Sequence, residues 1–139
     1  MKNSIFTRIH NYCLCKRYPF LELRNVWTNK PCHDHYDYTW LDDIDEGWRK
    51  IIARPLCKEL RKQLKKEKWL KGFRFSQIKE KYGTLRLYCV GASSKVLKIL
   101  HKYEDISGDY CRICGKPGHI RNDGWLDTLC DECYTKDTK

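Results

Sequence analysis

Cys111-Arg112-Ile113-Cys114 and Cys130-Asp131-Glu132-Cys133 are two Cys-x-x-Cys pairs separated by fifteen residues. Two cysteines three apart turn both sulfurs toward one point only where the backbone between them folds into a tight knuckle. Two such knuckles supply four soft donors in a tetrahedron. The spacing predicts a zinc site ligated by Cys111, Cys114, Cys130 and Cys133. Gly115 follows the first pair, and a glycine there takes positive φ at no steric cost, freeing backbone N–H groups to point at the sulfurs. Four thiolates close the coordination shell and leave no position for a water, so the single Zn2+ is expected to be structural and not catalytic. The alternative, a pair of disulfides, is disfavoured in a reducing cell.

The chain has 139 residues, enough for one domain carrying a small metal-stapled appendage. No run of eighteen apolar residues exists, and the opening Met1-Lys2-Asn3-Ser4-Ile5-Phe6-Thr7-Arg8 lacks the apolar stretch of an export signal. The expectation is a cytoplasmic protein with no membrane contact. Its nine cysteines then read as metal ligands and buried thiols rather than disulfides. The net charge of +10 is unevenly placed. Residues 1–47 carry six Lys/Arg against seven Asp/Glu, residues 48–105 seventeen against five, and residues 106–139 five against six. Four thiolates on one Zn2+ would make the last segment more acidic still. The basic character therefore belongs to the middle of the chain, away from the cysteine pairs.

The first third reads as irregular structure with short extended pieces at 20–24 and 36–40. The acidic run Asp42-Asp43-Ile44-Asp45-Glu46 leads into a helix, with Asp43 as expected N-cap and Glu46 closing a capping box. From 48 to about 68 the apolar residues Trp48, Ile52, Leu56, Leu60 and Leu64 recur every fourth position, the stripe of an amphipathic helix. Pro55 must kink or split it. The segments 73–79 and 84–90 alternate apolar and polar residues about Glu80-Lys81-Tyr82-Gly83, which predicts a hairpin with Leu85, Leu87 and Cys89 on one face. A second helix, capped by Ser93 or Ser94, places Val96, Leu97, Leu100 and Tyr103 at helical spacing.

Lys50, Arg54, Lys58, Arg61, Lys65 and Lys68 project within roughly 80–100° of one another on a helix, with no acidic residue among them. Like charges at i,i+4 repel, and a merely solvated face more often mixes Glu with Lys, so an anionic partner is expected. The hairpin adds Arg74, Lys79, Lys81 and Arg86 among Phe73, Phe75, Tyr82 and Tyr88. Cations beside exposed rings suit single-stranded nucleic acid, but a sheet covered by helices must bury one face, so most of these rings are expected in the core. Cys13-Leu14-Cys15 and Cys32-His33-Asp34-His35, with His10 nearby, invite a second metal site, although ordinary buried or surface roles are the preferred reading. No P-loop, GxSxG, HExxH or dinucleotide fingerprint is present, and no small-molecule substrate site is evident, so no enzymatic activity is expected.

Tyr18-Pro19-Phe20, Gly47-Trp48-Arg49, Ile78-Lys79-Glu80-Lys81-Tyr82-Gly83-Thr84-Leu85-Arg86, Cys114-Gly115-Lys116-Pro117 and the second cysteine pair together resemble a group of small proteins encoded by phages and prophages. The resemblance spans about residues 17–134. It implies a zinc-binding accessory protein acting inside an infected bacterium and supplies no activity. Asp45 stands where that group has a proline, and Cys13, Cys15 and the Cys32-His33-Asp34-His35 cluster lie outside the shared pattern.

The sequence thus predicts an α+β fold: a basic helix and a second helix packed on a small antiparallel hairpin at about 73–90, with a four-cysteine zinc ribbon at the C-terminus. Residues 1–105 are assigned to the α+β domain and 106–139 to the ribbon. The leading expectation is a non-enzymatic protein that contacts nucleic acid or a nucleoprotein through the basic helix and hairpin. The alternative is a protein-protein inhibitor of a host defence or nucleic-acid machine, its acidic stretch 34–46 mimicking an anionic ligand; an enzyme with an unrecognised site comes third.

Overall fold

The computed structural model describes residues 4–32 and 35–137. Among these, α1 spans Ile5–Arg17, with the Ser4 side chain accepting from the Thr7 N–H as N-cap and Lys16 and Arg17 complementing the dipole in the last turn. This helix replaces the irregular structure expected for the first third. Its buried residues are Asn11 and Cys15, while Ile5, Phe6, Ile9 and Tyr12 face solvent, so it has no core-facing apolar stripe to read. Polar contacts add to the packing of Cys15 and Leu14 on the core. Asn11 Nδ2 donates to the Tyr36 carbonyl at 2.8 Å, and Arg8 pairs with Asp37 at 2.6 Å.

Pro19 opens a single 3-10 turn, Pro19–Leu21, where an extended piece was expected, and it sinks Phe20 and Leu21 into the core. A second 3-10 turn, Trp40–Asp43, carries the capping box: Thr39 accepts from the Leu41 N–H, and Asp42 accepts from the Thr39 N–H at 2.8 Å. Asp43 is therefore not the expected N-cap. Its carboxylate accepts the Tyr38 hydroxyl at 2.6 Å, and helix formation restarts after Asp45.

The long helix runs as α2 (Glu46–Trp48), a π-helical segment (Arg49–Ala53) and α3 (Arg54–Lys66). Proline lacks an N–H and crowds the carbonyl four residues back. The wider π turn just ahead of Pro55 relieves both, so the helix neither stops nor splits. The same wide turn offsets the drift of a stripe spaced by four. Trp48, Ile52, Leu56, Leu60 and Leu64 all reach the core at 0–1% exposure. Lys68 falls beyond the helix end, in a turn with φ 56°, and leaves the basic row expected to include it.

β1 (Arg74–Lys81) and β2 (Thr84–Val90) form the expected antiparallel hairpin. Its turn residues, Tyr82 and Gly83, have φ of 54° and 84°, the signature of a type I′ turn, whose twist matches that of the strands. A bulge between Phe75 and Gln77 pairs Phe75 with Cys89 and Ile78 with Leu87, so Phe75 and Ile78, three apart, share the buried face. α4 (Ser94–Ser107), N-capped by Ser93, packs on β2 and α3 through Val96, Leu100 and Tyr103, whereas Leu97 is exposed. The α+β class is as expected. The 105/106 boundary, however, falls inside α4.

The C-terminal ribbon consists of β3 (His119–Asn122), β4 (Leu126–Leu129) and α5 (Asp131–Asp137). It has its own small core of Cys111, Leu129 and Cys130. No helix among the described residues is long and apolar enough to cross a membrane.

Candidate metal centre

The turn after α4 leads into the first knuckle, and the β4–α5 junction forms the second. Ligand atoms of Cys111, Cys114, Cys130 and Cys133 all lie within 4.8 Å of one another, with Cys114 and Cys130 Sγ 3.6 Å apart. A Zn–S bond near 2.3 Å implies tetrahedron edges of roughly 3.8 Å, so the four donors fit one ion. Gly115 has φ 84°, as its place after the first pair required, and the Cys133 N–H donates to Cys130 Sγ at 3.4 Å.

The electrostatics point the same way. Burial opposes ionisation of Cys111, but hydrogen bonds from the backbone of Cys114, Cys130 and Ile113 outweigh it and bring the thiol down to about 7. Cys133 is pushed up to about 12 by burial and by its thiol neighbours. At Cys114 a backbone hydrogen bond from Lys116 lowers the value, yet burial and the thiols of Cys130 and Cys111 win, and the net direction is up. A divalent cation held by the four sulfurs would offset the charge of their thiolates.

The long helix braces the first knuckle. A Cβ on Gly47 would stand 2.3 Å from the Cys111 carbonyl oxygen and 2.5 Å from the Gly115 nitrogen, so only glycine permits this approach. The Gly47 N–H donates to the Arg112 carbonyl at 2.7 Å. Next to it, Trp48 Nε1 donates to both Ser107 O (3.0 Å) and Tyr110 O (2.8 Å). Arg112 forms a two-pronged pair with Asp127 at 2.5 and 2.8 Å, tying knuckle to β4. Thr128 Oγ1 donates to Gly83 O, fastening the ribbon to the turn of the first hairpin.

Among the described residues, Cys13 and Cys15 are not gathered into a second centre. Two apart on α1, they project to opposite sides, Cys13 exposed and Cys15 buried. Cys32 is exposed on a loop, while His33 and Asp34 lie outside the described residues. The four-cysteine group is the only set of three or more such ligands brought together among the described residues.

The expected basic residues divide among separate surfaces. Lys58, Arg61 and Lys65 line an open trough of about 570 Å³ between α3 and the end of α1, joined by Lys62, Lys66 and Arg17. An adjoining hollow shares Lys58 and Arg17 and adds Arg49 and Arg54. Arg61 Nε donates to the Arg17 carbonyl at 2.9 Å, holding the two walls together. No salt bridge among the described residues engages Arg54, Lys58, Lys65 or Lys66. Lys50 instead pairs with Glu46 at 3.8 Å. On the hairpin, Lys79 faces Arg86 across the strands, and Lys81 sits by the turn. Arg74 donates to the Val26 carbonyl at 3.1 Å and lines a different cavity, near Cys15. Phe73 and Phe75 are core, whereas Tyr82 and Tyr88 are exposed. Sequence reasoning missed Arg17, because it did not place α1, and Gly47, because its constraint comes from a distant segment.

No family model, curated protein or solved structure matches this chain. The class of protein the fold and site define is an α+β domain carrying a four-cysteine cluster able to hold a metal ion.

Proposed function

We propose that this chain is a non-enzymatic, zinc-stapled accessory protein of phage type that contacts nucleic acid or a nucleoprotein inside the bacterial cell. The observation that carries the reading is the trough between α1 and α3, whose wall residues are five Lys/Arg of one helix and Arg17 of another, with Tyr18 and no carboxylate. A surface that repels itself in this way costs stability unless an anion occupies it. Phosphates spaced along a backbone suit cations spaced along a helix. Zn2+ fits the closed thiolate shell and serves folding, while the phage assignment rests on the sequence resemblance.

Arg61 braces α1, so the clean test leaves it in place. Lys58, Lys62 and Lys65 replaced by Glu should abolish binding to random DNA or RNA at low salt while zinc content and melting temperature hold. For the unaltered protein, log affinity should fall linearly with log salt, with a slope of about 0.9 per phosphate contacted on duplex DNA and about 0.7 on a single strand. Absence of binding at low salt would sink the reading.

A protein-protein inhibitor is the second reading, and one observation favours it: Ile5, Phe6 and Ile9 are more than half exposed along α1. Mimicry of an anionic ligand by the acidic stretch is not what supports it. Asp37, Asp42, Asp45 and Glu46 pair with Arg8, Arg49, Arg112 and Lys50, and Asp43 holds Tyr38, while Asp34 lies outside the described residues. Phe6→Asp should then abolish partner capture and leave nucleic-acid affinity unchanged.

A further inference from the structure

The tip of the first hairpin rests against the strands of the second. The Thr128 hydroxyl donates to the Gly83 carbonyl, and Gly83 packs near the Asp127 backbone and Ile120. This contact opens a cleft of about 450 Å³ lined by Glu80, Lys81, Tyr82, Gly124, Trp125 and Leu126. Tyr82 is 64% and Trp125 79% exposed, so neither ring contributes to the core. Large rings left in water at a cleft, one from each hairpin, invite a flat apolar ligand between or against them.

The surroundings say which one. Lys81 Nζ lies 5.4 Å from the Tyr82 ring centroid, Lys79 Nζ lies 5.7 Å from that of exposed Tyr88, and Arg86 stands opposite Lys79. Of the carboxylates close by, Asp127 is paired with Arg112, while Glu80 accepts the Gly83 N–H at 3.1 Å and Asp123 accepts the Tyr134 hydroxyl; these two keep their charge and are outnumbered by Lys79, Lys81 and Arg86. A ligand with a planar ring and an anionic backbone satisfies both features. We propose that the cleft between the hairpin tips stacks an unpaired base of single-stranded nucleic acid against Trp125 and Tyr82, with Lys79, Lys81 and Arg86 on the flanking phosphates. This rests on the nucleic-acid reading above and deepens it, since a duplex presents no free base face to such a cleft.

The test uses the full-length, zinc-loaded protein and four labelled probes: twelve-residue oligo-dT, twelve-residue oligo-rU, an abasic strand of equal length, and a twelve-base-pair duplex. Both base-bearing strands should bind at least about tenfold more tightly than the abasic strand, the yield of one stacked base. Trp125→Ala should drop the base-bearing strands to the abasic level and leave abasic and duplex affinities unchanged. Trp125→Phe should restore most of the difference. Trp125 is so exposed that the alanine variant should keep its melting temperature and zinc content. Equal affinity for base-bearing and abasic strands, or indifference to Trp125→Ala, overturns the stacking site while leaving the basic trough standing. Failure to bind any strand, including capture of a peptide instead, overturns both.

Discussion

At position 47 a single methyl group is enough to separate two parts of the molecule. Gly47→Ala would drive its Cβ into the Cys111 carbonyl and the Gly115 nitrogen, both backbone atoms that cannot swing aside as a side-chain end does. Overpacking of this kind costs about 1–3 kcal/mol. The expected outcome is a lowered melting temperature together with faster zinc release to a chromogenic chelator, because the first knuckle loses its brace. Cys111→Ser and Cys130→Ser should each lose about one zinc per chain by metal analysis and unfold the ribbon. Unchanged zinc content in either would remove the site. The cysteines were legible in the sequence because knuckle formation is a local property of Cys-x-x-Cys. Gly47 stands there only among the segments that carry the resemblance, since nothing local reveals that another segment's backbone rests on it.

Among elements, the packing of α3 on α4 has a polar latch as well as an apolar seam. The Glu59 carboxylate accepts Lys102 Nζ at 2.5 Å and the Tyr103 hydroxyl at 2.6 Å, and these bonds hold it below its ordinary value of 4.5. A depressed carboxylate contributes stability in full above its unfolded value, and that stability is lost as pH falls through the lower, folded one. The pair is partly exposed and screened, so its worth is about 0.5 kcal/mol. Glu59→Gln should therefore shift the urea midpoint slightly at pH 7, with the difference from the unaltered chain closing below about pH 4. A difference constant with pH would mean the latch is not ionic. The apolar seam was legible, because Trp48, Ile52, Leu56, Leu60 and Leu64 repeat every fourth residue. α1 was not, for most of its apolar residues point outward and polar bonds to the 36–37 segment help fix it. The hairpin followed from Glu80-Lys81-Tyr82-Gly83, although β1 runs on through Lys81 and leaves only Tyr82-Gly83 to turn; the bulge that turns Phe75 inward did not, since strict alternation assigns it to the opposite face from Ile78.

In the whole molecule the ribbon is not a separate appendage. Trp48, fully buried, spends one N–H on two carbonyls at the α4 exit, Gly47 meets the knuckle, and Thr128 meets the first hairpin. Metal removal is therefore expected to destabilise the body as well as the ribbon, so that chelator shifts a single cooperative thermal transition instead of abolishing a minor early one. Two resolved transitions in calorimetry would show that the parts fold apart. Trp48→Phe strands those carbonyls and should cost about 1–3 kcal/mol on the same transition. Charge partition along the chain set the excess of cations in the middle segment, and five of the trough's residues lie there on α3. The trough itself needed the fold, because its second wall, Arg17, belongs to a helix with no core-facing apolar stripe.

The π-helical segment sets the angular phase of everything ahead of it. Deleting Ile51 would let Arg49–Ala53 wind as ordinary α-helix, yet it would turn the preceding residues by about 100° about the axis. Trp48 would then point away from the Ser107 and Tyr110 carbonyls, and Gly47 away from the knuckle. A chain one residue shorter and more regular would thus be geometrically mistimed, its two halves each sound but out of register with one another.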